Sequence, residues 1–186
     1  MAKRPSEELY TYLDEIRKAD ETQVWLYGAD MAKVLVELGK YDEAMELCSK
    51  FGKEFRDDAE YYAIRAMAYR RQEKYDEALE QIEAGVKIDS ESYSCLRQKA
   101  IVYLLKGNFD KAQEAAGEAY TMYPNSFETS YTYALACLAN NDNDEYETVV
   151  ANLKEYDEKM GQTVLDYKDG KITIEQIFLE GKGDVV

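Results

Sequence analysis

The tetrapeptide Tyr41-Asp42-Glu43-Ala44 returns further along the chain, first as Tyr75-Asp76-Glu77-Ala78 and then, more loosely, as Phe109-Asp110-Lys111-Ala112. The alanines that end successive copies are 34 residues apart. A second set of small residues recurs at the same interval, upstream of each tetrapeptide or its equivalent: Ala32, Ala66, Ala100 and Ala134. A period of about 34 residues indicates a unit of two helices repeated along the chain.

Alanine at these positions indicates that neighbouring helices approach each other closely. A larger side chain there would overpack the contact, at a cost of about 1–3 kcal/mol. One hairpin cannot bury its apolar face alone, so the units are expected to stack. Bulky residues between the alanines would fill the remaining gaps, namely Leu35, Leu47, Tyr62, Tyr69, Ile82 and Tyr103.

The repeat resembles the tetratricopeptide repeat family over residues 25–126 and more weakly to about residue 160, with Pro124 where the family has its closing proline. The resemblance implies an all-α fold, a right-handed α-solenoid of stacked helix-turn-helix hairpins with helical caps and a concave groove. It also implies the general function of the family, which is partner binding without catalysis. We expect one domain over residues 1–186, with an N-terminal capping helix in 1–24, repeats at 25–58, 59–92 and 93–126, a degenerate repeat at 127–160, and a C-terminal cap or tail at 161–186.

Helical spacing of apolar residues predicts the individual helices. Ser6 would cap the first, at 6–19, and Asp20 with Gln23 would form a capping box before the next. The predicted hairpins pair 22–38 with 42–54, 59–72 with 76–88, and 93–105 with 109–122, followed by helices at 127–138 and about 144–165. We expect the last of these to pack more loosely, since Tyr146 replaces the repeat alanine.

Tight turns inside the hairpins call for a left-handed residue, which glycine supplies easily. Gly39 and Gly107 stand at two of these turns, and Glu73 stands at the matching place in the second hairpin.

The segment after residue 165 contains half of a calcium-loop pattern. Asp169 to Thr173 resembles the second half of an EF-hand loop, but Leu165 and Tyr167 stand where oxygen ligands are needed. We therefore predict a plain turn, followed by a short helix at 174–180 that Thr173 and Gln176 cap. Its apolar side chains need cover. The preceding helix is the first choice for that cover, and a dimer contact is the second.

Composition excludes several function classes. The formal charge of −15 disfavours nucleic acid and membrane partners. The sequence has no histidine, no phosphate-binding glycine loop and no carboxylate cluster at metal spacing, so we expect no catalytic residues, no metal and no cofactor. Its three cysteines are far apart and are expected to be reduced core or near-surface thiols. No apolar run reaches about 18 residues, and a cytoplasmic protein is expected.

The resemblance places a groove on the first helix of each hairpin. Carried over to this sequence, its lining residues are Lys33, Val36, Met67, Arg70, Arg71, Arg97, Ile101, Leu104, Tyr131 and Leu135. Charge separates along the same division: residues 93–107 hold three bases and no acid, whereas residues 76–89 hold five acids and one base. A basic lining would favour an acidic peptide. Alternatively, these bases pair with acids on neighbouring helices. As another alternative, the apolar residues of the lining receive an amphipathic helix.

Some members of the family bind chaperone tails through a clamp of lysine, arginine and asparagine residues. The matching positions here are Ala29, Lys33, Ile64, Ser94 and Gln98, and none carries the clamp residue. Chaperone-tail binding by that mechanism is not expected.

Two hypotheses for function remain. The first is a protein–protein interaction scaffold whose groove binds a peptide segment of a partner protein, including an acidic one. The alternative is a self-associating structural subunit, a homodimer, that uses the apolar segment Ile172–Leu179.

Overall fold

The computed structural model describes residues 5–19, 24–54, 58–156 and 158–179. These residues form eleven α-helices, with no strand among them, which confirms the predicted all-α class. The chain divides into two compact units, Met1–Ser90 and Glu91–Val185. Each unit is described by itself, and the expectation of one continuous domain stays a prediction.

Unit 1 contains an N-terminal helix and two hairpins: α1 (Pro5–Ala19), α2 (Val24–Glu37), α3 (Tyr41–Glu54), α4 (Ala59–Arg71) and α5 (Tyr75–Ile88). Helix α4 packs on its partner α5 and also on α2 and α3, as stacking of the two hairpins requires. The first helix begins at Pro5, so Ser6 lies inside it and the prediction of Ser6 as N-cap is wrong. The capping box predicted at residues 20–23 lies outside the described residues.

Unit 2 contains two more hairpins and two C-terminal helices: α6 (Tyr93–Leu105), α7 (Phe109–Met122), α8 (Phe127–Ala139), α9 (Asn143–Tyr156), α10 (Glu158–Lys168) and α11 (Ile174–Phe178). The α6–α7 and α8–α9 hairpins stack through contacts of α8 with α6 and α7. Helix α10 packs on α8 and α9, where the first helix of a further repeat would lie.

The single helix predicted at about 144–165 is wrong, because α9 and α10 are separate helices that pack against each other. The expectation of loose packing also fails for the described face of α9. Its side chains Tyr146, Val149, Val150 and Leu153 are fully buried. The Lys168 Nζ atom of α10 lies 4.4 Å from the centre of the Tyr146 ring and 2.9 Å from Glu147 Oε1. Tyr146 therefore takes part in the packing of α10 against α9.

The repeat alanines are confirmed as contact positions. All seven have no accessible surface: Ala32, Ala44, Ala66, Ala78, Ala100, Ala112 and Ala134. Interiors are packed to crystal-like density, so a buried methyl group beside a neighbouring helix leaves no room for a longer side chain. The small residues thus set the spacing at which the helices of each unit close on one another.

Every hairpin turn contains one residue with positive φ. These residues are Gly39 (φ 75°), Glu73 (φ 59°), Gly107 (φ 70°) and Asn141 (φ 60°). In each turn the next residue's N–H donates to a carbonyl five residues earlier, as when Lys74 donates to Tyr69 (3.0 Å) and Asn108 donates to Tyr103 (2.9 Å). This is the helix-ending arrangement in which a left-handed residue is required. The match that the sequence suggested between Glu73 and the two glycines is confirmed.

The fourth turn, which departs from the glycine pattern, is held by side chains. Asn140 Nδ2 donates to Gln113 Oε1 (2.7 Å), and Gln113 Nε2 donates to Asp142 Oδ2 (2.8 Å). The other carboxylate oxygen of Asp142 accepts the Glu145 N–H and so caps α9. The asparagine-rich sequence that replaces the usual turn therefore ties this turn to α7.

The two kinds of turn residue predict opposite effects on stability. A side chain in the left-handed region costs about 1–2 kcal/mol, a cost that glycine avoids. We expect Gly107→Ala to lower the free energy of unfolding by about 1 kcal/mol and Glu73→Gly to raise it by about 0.5–1 kcal/mol. Urea unfolding followed by circular dichroism measures both changes. A shift of the same sign in the two variants would contradict this account of the turns.

Candidate partner-binding surface

The ten residues predicted to line a groove fall on the first helices of the hairpins in both units. We call Lys33, Val36, Met67, Arg70 and Arg71, on α2 and α4, the unit-1 face. We call Arg97, Ile101, Leu104, Tyr131 and Leu135, on α6 and α8, the unit-2 face. That these residues bind a peptide stays a prediction, and the structure gives their burial and contacts.

On the unit-1 face, a base is paired within the protein. The Lys33 Nζ atom lies 2.5 Å from Glu60 Oε1 of α4, and both side chains are half-buried. This is the alternative that the sequence left open, in which a base of one helix pairs with an acid of its neighbour. Val36 is buried and Met67 is half-buried in one apolar cluster. The lysine charge therefore contributes little net attraction for a partner.

Arg70 differs most from its predicted place. It is the largest fully buried side chain among the described residues, at 0% exposure, so its guanidinium does not line an open surface. A buried charge is tolerated in a protein interior only when other groups compensate it. Arg71, the next residue, is half-buried. The sequence analysis placed both arginines in the groove lining, but burial distinguishes them.

Reversing the charge at Arg70 therefore tests the fold and not partner binding. Breaking a buried charged interaction by removing one partner costs about 3–5 kcal/mol. We expect Arg70→Glu to lower the free energy of unfolding of the whole chain by about this amount. The exposed Lys87 of α5 provides the matched control, and Lys87→Glu should change stability by less than about 0.5 kcal/mol. If the two variants were equally stable in urea, the buried guanidinium of Arg70 would not be required for the stability of the chain.

On the unit-2 face, the four apolar members are closed off from solvent. Ile101, Leu104, Tyr131 and Leu135 are all fully buried. Arg97, one turn before Ile101, is half-buried and its Nε–H donates to Thr132 Oγ1 (3.2 Å). The Nη2 atom of Arg97 makes no hydrogen bond. This face thus combines an apolar interior with one incompletely bonded guanidinium.

The chain's own C-terminal segment contributes to the burial of the unit-2 face. Helix α11 contacts α6, and its side chains Ile174, Ile177 and Phe178 share one buried cluster with Leu135 and Tyr131. The Phe178 and Tyr131 rings meet edge to face, with centroids 6.5 Å apart and planes at 70°. The cover of α11 thus extends beyond the preceding helix, which the sequence analysis placed first.

The burial of α11 removes the observation behind the self-association hypothesis. That hypothesis treated Ile172–Leu179 as an exposed apolar segment. In the structure Ile174, Ile177 and Phe178 are buried, and Ile172 and Leu179 are half-buried. Only Ile172 and Leu179 keep part of their apolar surface exposed, and a homodimer through this segment stays a prediction.

The turn before α11 is fixed by ionic and capping interactions. Gly170 takes a positive φ of 68°, and Lys171 Nζ lies 3.1 Å from Asp166 Oδ1 and 2.9 Å from Asp169 Oδ2. Thr173 Oγ1 accepts the Gln176 N–H while the Gln176 side chain accepts the Thr173 N–H, which confirms the predicted capping box. Hydrogen bonds from Gln162 and Lys171 lower the pKa of Asp166. The carboxylates that resembled a calcium loop are thus paired with a lysine.

An open cleft of about 570 Å³ lies beside this turn. Its walls come from the ends of three helix pairs in unit 2, including Leu104, Phe109, Leu138, Tyr167, Lys168 and Ile172. The sequence analysis did not find this cleft, because its residues are spread from Leu104 to Glu175 and share no local pattern. Among the residues that the structure describes, no group of three acidic or cysteine side chains is placed to hold a metal ion.

The sequence matches the tetratricopeptide repeat family over residues 29–93 and 97–145, more than half of the chain. The chain belongs to this family. Members of the tetratricopeptide repeat family are generally scaffolds for protein–protein interaction and not enzymes, and the coarse role of an interaction scaffold applies to this chain. No curated protein matches the sequence.

Solved structures show the same fold. This tetratricopeptide repeat protein is similar to a thermophilic repeat protein, TTC0263, of Thermus thermophilus, with a TM-score of 0.71, 18% identity, and 89% of each chain covered. It is also similar to YrrB, described as a repeat protein with an unusual peptide-binding site, with a TM-score of 0.56, 13% identity, and 88% and 84% covered. MamA gives a TM-score of 0.55 at 19% identity, with 84% and 85% covered.

None of the helices in the described part of this tetratricopeptide repeat protein has the length and apolar character that crossing a membrane requires. The exclusion of nucleic acid and membrane partners and the cytoplasmic location stay predictions from the sequence.

The three cysteines of the repeat protein, Cys48, Cys95 and Cys137, are buried free thiols, as the sequence predicted. Burial raises the pKa of Cys48 and of Cys137 to about 12, from the ordinary value of 9.0. Burial also raises the pKa of the Tyr133 hydroxyl, with Cys137 and Glu145 adding to the effect. These groups are protonated at neutral pH and are not nucleophiles.

The raised thiol pKa values predict a loss of stability in alkali. Unfolded thiols release their protons near pH 9, whereas the folded thiols of Cys48 and Cys137 keep theirs until about pH 12. The folded state therefore holds more protons in this window, and the free energy of unfolding should fall as pH rises from about 9 to 12. Unfolding in urea at several pH values measures the slope, and Cys48→Ala should reduce it.

The burial of the three thiols can also be tested at about pH 8, below the pKa of an unfolded thiol. A thiol reagent should react with the three cysteines only after urea is added.

Proposed function

We propose that the protein is an interaction scaffold that binds a carboxylate-bearing segment of a partner protein on its first-helix faces. The supporting observation is the separation of charge between first and second helices. Residues 93–107 carry Arg97, Lys99 and Lys106 and no acid, whereas all five acids and the one base of residues 76–89 are exposed on or just after α5. Bases on first helices, in a chain that is acidic elsewhere, would orient and retain acidic segments.

Arg97 is the side chain best suited to such a contact. Its Nε–H is used by Thr132, but Nη2 has no hydrogen-bond partner. Nη2 is enclosed by the protein, so a carboxylate would meet the charge of the half-buried side chain and not this donor. A guanidinium can also hold a carboxylate through two parallel hydrogen bonds. On the unit-1 face, Arg71 is half-buried and adds a positive charge.

The test needs variants that change charge without unfolding the chain. A partner is first captured with the wild-type protein from its native host, and its affinity is then measured by calorimetry. We expect Arg97→Glu and Arg71→Glu each to weaken binding by at least about tenfold, which corresponds to about 1.4 kcal/mol. Circular dichroism should show unchanged helix content in both variants.

Lys87→Glu is the control for this experiment, because it makes the same charge change on an exposed site of a second helix. It should leave the affinity unchanged. If the captured partner bound the two arginine variants as tightly as the wild type, the first-helix faces would not be the binding surface.

A further inference from the structure

We infer that the unit-2 face is a receptor for an amphipathic helix, and that α11 occupies it until a partner helix with the same pattern of side chains displaces it. This inference rests on the proposed scaffold function and specifies the partner for one of its faces. The pattern consists of two bulky aliphatic side chains and one aromatic side chain at positions i, i+3 and i+4, as Ile174, Ile177 and Phe178 provide in α11.

The contacts of α11 show what the face accepts. Ile177 and Phe178 are fully buried among residues of α6 and α8, and the Phe178 ring packs edge to face on Tyr131. Residues spaced by three and four lie on one side of a helix. The opposite side of α11 carries Glu175, which is exposed. The unit-2 face thus holds an apolar helix side while leaving the polar side in water.

Local hydrogen bonds and the capping box would not by themselves keep α11 helical. It has five residues, too few for a helix to persist alone in water. Two of its hydrogen bonds are the local ones from Ile177 to Thr173 and from Leu179 to Glu175. The chain before it, from Asp169 to Lys171, is exposed. Side-chain packing on the unit-2 face therefore keeps α11 in place. A partner helix that offers the same packing would compete with α11 for this face.

A longer partner helix would also gain contacts that α11 does not make. Five residues span about 7.5 Å of helix axis, and two further turns would add about 11 Å. Arg97 stands one turn before Ile101 on α6 and is half-buried, so an acidic residue on such a helix would meet positive charge beside this face. This combination selects an amphipathic helix with an acidic residue over an extended peptide.

The experiment uses the full chain and a fluorescent peptide with the sequence of residues 169–181 as the probe. In the variant Ile177→Ser with Phe178→Ser, α11 loses the side chains that seat it, so the face becomes open to the probe. We expect fluorescence anisotropy to show at least about tenfold tighter probe binding to this variant than to the wild type. A probe with the same two serines should not bind. The matched control is Glu175→Ser, which changes an exposed residue of α11 and should behave as the wild type.

Three results would overturn the inference. The first is equal probe affinity for the double variant and the wild type. The second is loss of helix content in the double variant beyond the five residues of α11, since α11 would then be a fixed part of the core. The third is a wild-type dimer, seen by light scattering, that the double variant loses, because the occupant would then be a second copy.

Hydrogen exchange of the wild type gives an independent answer that does not depend on the variant. We expect the amides of Ile177 and Leu179 to exchange at least about tenfold faster than buried amides of α8, after correction for intrinsic rates. Equal protection would mean that α11 opens only when the unit unfolds, which also overturns the inference. Because the probe comes from this chain, these results are separate from those of the charge-reversal experiment, which requires the captured partner.

Discussion

Close approach of helices at alanine is the constraint on which the rest of the structure depends. Each hairpin exposes an apolar face that only a neighbouring hairpin can cover, and the covering helix reaches it only where the intervening side chain is a methyl group. The 34-residue repeat of Ala32, Ala66, Ala100 and Ala134 is the record of that requirement in the sequence. Their complete burial shows that the requirement is met within each unit.

The basic residues of the first helices are not equivalent, because burial and ion pairing decide which of them a partner can contact. Lys33 faces Glu60 and is largely neutralised, while Arg70 is wholly enclosed and supports the fold. Arg97 and Arg71 are half-buried and differ from both. A count of bases along a helix treats these four residues alike, although only their surroundings decide which of them can meet a partner.

The C-terminal segment shows how far apolar pattern alone can mislead. The spacing of Ile174, Ile177 and Phe178 correctly indicates a helix with one apolar side, and Thr173 correctly indicates where it begins. The pattern carries no information about which surface covers that side. The covering surface includes α6 and Tyr131 of α8, which lie more than 30 residues earlier in the chain. The candidate site on unit 2 is thus in contact with a segment for which the sequence predicted cover by the preceding helix.

The sequence by itself determined the hairpins, their boundaries to within a few residues, their turns and the alanine contacts. It could do so because these features depend on local periodicity and on residues such as Gly39, Glu73 and Gly107 that meet a local backbone requirement. Only the tertiary structure decided the break between α9 and α10, the burial of Arg70 and the surface on which α11 packs. Each of these depends on contacts between residues distant in the chain, where the free energy of burial, and not local preference, selects the arrangement.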